Sequence, residues 1–126
     1  MAVKEKYSSA LSLGEQIGMT NMRVEENNGI LRVWGTVPYG YDKDQVWDAI
    51  KAAGGSHPTD IVADIQVANP DAYAQHTVKS GESLSKIAKH YYGDMMKYTQ
   101  IFNANRDILS DPDKIEVGQV LTIPNP

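Results

Sequence analysis

His57, His76 and His90 are the only histidines in the chain, and they fall in a loop, at the start of an alternating run and on a helix flank. No two stand at i, i+4 and there is no His-Glu-x-x-His, so no zinc-protease pattern is present. Structural zinc wants thiolates or clustered imidazoles, and the chain has no cysteine. Ser80 precedes Gly81, but the Gly-x-Ser-x-Gly elbow of a serine hydrolase is missing. Ser80 and Ser83 read as turn and helix-cap residues. Glu25 with Glu26, and Asp111 with Asp113, are carboxylate pairs, but a glycosidase needs an acid and a base facing each other across a cleft. Neighbours on a strand point opposite ways, and two acids in one loop read as solvated surface. Asp107, Asp111, Asp113 and Glu116 supply oxygens for a hard cation, without the regular Asp-x-Asp-x-Asp-Gly spacing. The expectation is a non-enzymatic protein, with no cofactor assigned from these residues.

The bulk numbers agree with a folded binding protein. The chain has 126 residues, 41% hydrophobic and 22% charged, which suits one ordinary domain or two small ones. Its net charge of −4 argues against nucleic acid or anionic lipid as a partner. Residues 1–14 carry Lys4 and Lys6 and no unbroken apolar run. They predict neither a secretory signal nor a membrane span, hence a cytoplasmic location.

Val3, Tyr7, Ala10, Leu11 and Ile17 form a helical stripe that stops at Gly18. From Met22 to Val37 the period changes to two, around an Asn28-Gly29 hairpin turn. That loop sets Val24 opposite Val33, Met22 opposite Gly35 and Glu25 opposite Arg32. One face then holds Met22, Val24, Leu31, Val33 and Val37; the other holds Arg23, Glu25, Arg32 and Trp34. Asp42 with Gln45 reads as a capping box, opening a helix whose inward stripe is Val46, Trp47, Ile50 and Ala53. Gly54-Gly55 end it, and Asp60 to Val67 alternate as a third strand. Residues 1–68 therefore read as α-β-β-α-β with both helices on one side. Trp34, near Ile30, lies on the face away from the helices, where an exposed aromatic marks a contact surface for a protein partner. Residues 69–75, with Asn69-Pro70-Asp71, read as a linker.

The remaining segment, 76–126, opens with His76-Thr77-Val78-Lys79-Ser80-Gly81-Glu82-Ser83-Leu84 and closes with Gly118-Gln119-Val120-Leu121-Thr122-Ile123-Pro124. Between strands at His76–Lys79 and Val120–Ile123 lie two helical runs. Ser83 caps Leu84, Ile87, Ala88 and Tyr91; Asp94 caps Tyr98, Ile101, Phe102 and Asn105. This βααβ unit resembles a LysM domain, with Glu82 and Ser83 where Asp and Thr are usual and Val117 where Pro is usual. The overall fold class is α+β. The N-terminal order and Val-Trp-Gly-Thr-Val at Val33–Val37 resemble a BON domain.

The LysM resemblance implies binding of N-acetylglucosamine-containing glycans, of peptidoglycan or chitin type, between the loop after the first strand and the loop after the second helix. The residues it points to are Gly81, Glu82, Ser83 and Leu84 on one side, and Asn105, Arg106, Asp107, Ile108 and Leu109 on the other. Gly81 and Ile108 would serve an acetamide. The bland alternative is that Leu84 and Ile108 fill the core and Asn105 caps its helix. A BON-like unit followed by one LysM unit is also similar in layout to the small cytosolic potassium-binding proteins of bacteria. That resemblance implies a potassium ion held by backbone carbonyls, leaving no side-chain signature by which to name ligands. A structural part in a phage-tail-like assembly is the third expectation.

Overall fold

A computed structural model describes residues 3–126. The chain divides into two compact units, Met1–Pro70 and Asp71–Pro126, and each is built from both helix and strand.

The first unit runs α1 (Val3–Lys6), α2 (Ser8–Ile17), β1 (Thr20–Asn27), β2 (Ile30–Val37), α3 (Gly40–Gly54) and β3 (Ile61–Val67). The single N-terminal helix expected from the apolar stripe is interrupted at Tyr7. This residue is wholly buried and sends its hydroxyl to Asp60 Oδ1 at 2.5 Å. Gly18 ends α2 at φ 93°. Asn28 and Gly29, at φ 54° and 76°, make the hairpin turn. The sheet order is β1-β2-β3, with β1–β2 antiparallel and β2–β3 parallel across the α3 crossover.

The hairpin register places Val24 opposite Val33 and Glu25 opposite Arg32, as the two-residue turn requires. Met22 does not reach Gly35, because the register shifts between Thr20 and Arg23, where Asn21 takes φ 54°. Met19 takes that place instead: a Cβ on Gly35 would lie 2.2 Å from Met19 Sδ. Nor do Glu25 and Arg32 form the side-chain pair. Glu25 bonds Arg23 NH2 at 2.6 Å along its own strand, since i and i+2 share a face. Asp42 is not the helix cap either. Helix α3 begins at Gly40, and Asp42, in its first turn, accepts Tyr39 N–H at 3.1 Å.

The core of this unit joins Tyr7 and Ala10 from the N-terminal segment, Val46 and Ile50 from α3, and Leu31, Val33, Val37, Ile61 and Ile65 from the sheet. Each large aliphatic among them contributes roughly 1.5–3 kcal/mol by leaving water. Both helices supply this one face, as the alternation in β2 and β3 demands.

The second unit runs β4 (Ala74–Thr77), α4 (Leu84–Tyr92), a 3-10 turn (Met95–Lys97), α5 (Tyr98–Ala104) and β5 (Val120–Ile123). Strands β4 and β5 pair antiparallel, His76 opposite Leu121 and Thr77 opposite Val120. Val78 extends the pairing by donating to Gln119 O at 2.9 Å and accepting from Gly118 N at 2.9 Å. Leu84, Ile87, Ala88, Ile101, Leu121 and Ile123 are buried between helices and ribbon.

The expected linker is shorter than 69–75. Ala68 and Asn69 still donate to Val37 O and Pro38 O, and Tyr73 already donates to Ile123 O at 2.7 Å. Ala72, Tyr73 and Ala74 are buried, so the second unit starts before His76.

Candidate functional site: a cleft on the C-terminal unit

A cleft of about 380 Å³ opens on the second unit, lined by Glu82, Ser83, Leu84, Ser85, Tyr98, Pro112, Asp113 and Ile115. Its size falls within the ~300–1,000 Å³ of small-ligand sites. Three segments frame it: the turn entering α4, the first residue of α5, and the middle of the long α5–β5 loop.

The α4 side is fixed by local chemistry. Gly81 takes φ 83°, which a side chain would strain. Ser83 Oγ accepts Lys86 N–H at 3.3 Å and lies 3.1 Å from Ser85 Oγ, so the cap and its neighbour present a small hydroxyl cluster. Leu84 is buried beneath them. Glu82 folds back, accepting Lys79 N–H at 2.6 Å while its oxygens lie 3.0 and 3.1 Å from His76 Nε2. Burial alone would raise the Glu82 carboxyl. The bonds from His76 and the Lys79 amide, with the charges of both residues, outweigh it and hold the group below its usual range. His76 Nδ1 in turn meets Tyr91 Oη at 2.8 Å. With both ring nitrogens engaged, His76 has none left to activate a serine.

On the loop side, Asp111 Oδ1 accepts Asp113 N–H at 2.8 Å and Lys114 N–H closes on Asp111 O at 3.1 Å. This turn presents Pro112, Asp113 and Ile115 to the cleft. Tyr98 adds an aromatic ring. The lining thus combines apolar surface with three hydroxyls and two carboxylates.

Of the nine expected glycan-contacting residues, Glu82, Ser83 and Leu84 line this cleft. Gly81 shapes the turn, and its carbonyl accepts Lys86 Nζ at 3.1 Å. The second side lies elsewhere in sequence. Asn105 is 3% exposed and Leu109 2%, both buried in the interior, and neither lines the cleft. Ile108 is 46% exposed, not core filler, and it does not line the cleft. Arg106 bonds Asn103 Oδ1 at 2.9 Å and lies over the Phe102 ring at 4.9 Å. Asp107 is exposed. Tyr98, Ser85, Pro112, Asp113 and Ile115 also line the cleft and were not among the residues expected there. The Asp-Pro-Asp turn signal was the one hint, since a tight turn in a long loop aims its side chains in a fixed direction.

Among the described residues no three His, Cys, Asp or Glu side chains converge to hold a metal ion, so Asp107, Asp111, Asp113 and Glu116 do not gather. In the first unit, Trp34 and Ile30 are half-buried on the sheet face away from the helices, beside exposed Val62. The Trp34 ring is not bare: the Arg23 guanidinium covers it at 5.1 Å. Among the described residues no helix is long and apolar enough to cross a membrane.

Residues 76–124 match the LysM domain family. The chain is 49% identical over 61 residues to potassium binding protein Kbp of Escherichia coli, covering 48% of this chain and 41% of that protein. It is 35% identical over 85 residues to an esterase of Mycobacterium tuberculosis, 68% of this chain but 18% of that protein. It is 37% identical over 52 residues to LysM domain-containing GPI-anchored protein 2 of Arabidopsis thaliana, 41% of this chain and 14% of that protein. The matched stretch is thus under half of each relative's length. The match to the esterase is distant and covers too little of it to carry an esterase activity. The chain is thus similar to the LysM domain family over residues 76–124 and to potassium binding protein Kbp over 61 residues.

Proposed function

We propose that this chain is a non-catalytic glycan-binding protein whose LysM cleft takes N-acetylglucosamine-containing chains of peptidoglycan or chitin type. The observation that carries this reading is the cleft between Glu82–Ser85 and Pro112–Ile115, with Tyr98 at its side. A pyranose ring stacks its C–H face on the Tyr98 ring, while Ile115 and Pro112 receive the acetamide methyl. Ser85 and Asp113 are in place to bond the sugar hydroxyls. Such a site needs no proton transfer and no metal. Calorimetry of the full chain with chitin oligomers tests it: saturable binding that weakens about tenfold in Tyr98→Ala supports the reading. Absence of heat at millimolar oligomer, with the fold intact by circular dichroism, refutes it.

The identity to potassium binding protein Kbp favours a second reading, a potassium-binding protein. Potassium is recognised by rings of backbone carbonyls, which side-chain inspection does not reveal. Potassium titration against sodium at constant ionic strength separates the readings. A potassium-selective response with no response to oligomer supports the second and contradicts the first.

A further inference from the structure

Strand β1 is an outer strand of the first unit's sheet, and the ladder shows which of its backbone groups face outward. Leu31 N–H donates to Asp60 O, just before β3, at 2.9 Å, so the bonding groups of Leu31 point towards β3. Leu31 stands opposite Glu26 of β1. Opposed residues of an antiparallel pair either exchange both bonds or turn their groups away from each other. The amide and carbonyl of Glu26 therefore point off the sheet edge, and so, two residues back, do those of Val24. Such an edge is a template for a further strand. Arg23, Glu25 and Glu26 are exposed along it and Val24 is half-buried.

Charge decides which strand fits. Two copies of β1 related by a two-fold axis bring outward groups against outward groups. The regular stretch is Arg23–Asn27, since the register shift lies before it. Centring the axis on Arg23, Glu25 or Glu26 sets like charges face to face. Centring it on Val24 puts Arg23 of each copy opposite Glu25 of the other. Those two pairs fall at positions without ladder bonds, where opposed side chains approach most closely. Both side chains already lie along the sheet surface: Arg23 meets Glu25 at 2.6 Å and covers the Trp34 ring at 5.1 Å. The other outer strand, β3 (Ile61–Val67), carries Asp64 as its one charged residue and offers no such complement.

We propose that two copies of this chain associate through β1, antiparallel about Val24, joining two three-stranded sheets into one continuous sheet. The contact is isologous, so it closes at two copies. Main-chain bonds at Val24 supply attraction, and the Arg23–Glu25 pairs fix the register.

The test is sedimentation equilibrium of the full chain from micromolar to millimolar concentration, with amide hydrogen exchange on the same samples. A monomer–dimer equilibrium is expected, in which the Val24 amide exchanges fast in dilute monomer and slows as dimer forms. Arg23→Glu sets like charges opposite each other and should weaken the dimer about tenfold. Arg23→Glu combined with Glu25→Arg swaps the charges, keeps the complement and should restore it. Both sites are exposed, and circular dichroism checks that each variant folds. A chain that stays monomeric at millimolar concentration overturns the proposal. So do assemblies that grow beyond two copies, a Val24 amide already protected in the monomer, and a dimer that Arg23→Glu leaves intact or the swap fails to restore.

Discussion

The side-chain amide of Asn105 grips the backbone of Thr122 as a strand partner would. Its Oδ1 accepts Thr122 N–H at 2.8 Å and its Nδ2 donates to Thr122 O at 2.8 Å. The same Nδ2 also donates to Ile101 O at 2.7 Å. One side chain at the end of α5 thereby closes the open edge of β5. A residue with the donors and acceptor of an amide is needed there, because Asn105 is only 3% exposed and its bonds to Ile101 and Thr122 are buried or partly buried.

Asn105→Ala is therefore expected to destabilise the second unit by ~2–3 kcal/mol, since it strands buried backbone groups of Thr122 and Ile101. Trp34 and Trp47, the only tryptophans, both lie in the first unit, so their fluorescence is blind to this loss. Amide hydrogen exchange should show faster exchange at Leu121, Thr122 and Ile123 with the first unit unchanged. Unchanged exchange at Thr122 would remove Asn105 from this role.

In the first unit, Tyr7 and Lys6 both hold Asp60, at 2.5 and 2.7 Å. The bonds from Lys6 and then Tyr7 lower the Asp60 carboxyl below its usual range. A depressed carboxylate contributes stability that is present above its unfolded value and fades as pH falls through the folded one. Burial, and then the bond to Asp60, push the Tyr7 phenol up to about 12. Its neutral form contributes stability that is full below its unfolded value of 10.0 and fades as pH rises towards about 12. Tyr7→Phe should cost ~1–2 kcal/mol near neutral pH and flatten both limbs of the pH–stability curve. Denaturant melts followed by tryptophan fluorescence across pH check this; an unaltered curve contradicts it.

Gly54 tests the same contact sterically. A Cβ there would lie 2.1 Å from Tyr7 Oη, which Asp60 holds in place. Gly54→Ala should cost ~1–3 kcal/mol by displacing the ring, whereas Tyr7→Phe with Gly54→Ala should cost less than the sum of the two. Additive costs would show that the ring moves aside freely.

Glu82 gives a pH prediction within the cleft. Its carboxyl is held below 4.5 in the fold, so the clamp on Lys79 N–H persists above that value and opens as pH falls through the lowered one. The Lys79 amide resonance should titrate with a midpoint below 4.5. In His76→Ala, which removes the first-named bond holding the carboxylate, the midpoint should move upward. A midpoint unmoved by His76→Ala would mean the imidazole does not hold this carboxylate.

Much of this architecture was legible because its signals are local. Asn28-Gly29, Gly18 and Ser83 each need only their own backbone geometry, and each sits where the sequence placed it. The pairing of Val24 with Val33 follows from loop length alone. Tertiary contacts defeated the finer reading. The helix expected over the apolar stripe is interrupted at Tyr7, whose hydroxyl goes to Asp60, far off in sequence. Met19 displaces Met22 over Gly35 because Asn21 adopts a left-handed turn that no periodicity announces. In the cleft, the α4 side was readable because it is a capped turn. The other side was not, because Pro112–Ile115 reach it through the fold of a long loop, while nearer Asn105 and Leu109 turn inward.

The most direct test of the account is a two-dimensional amide spectrum of the labelled full chain titrated with a neutral N-acetylglucosamine oligomer. Saturating shifts at Glu82, Ser83, Ser85, Tyr98, Asp113 and Ile115 are the predicted result, with Arg106, Asp107 and Ile108 little moved. Shifts centred on Asp107 and Ile108, or a spectrum that stays still for the oligomer and moves only with potassium, would contradict it.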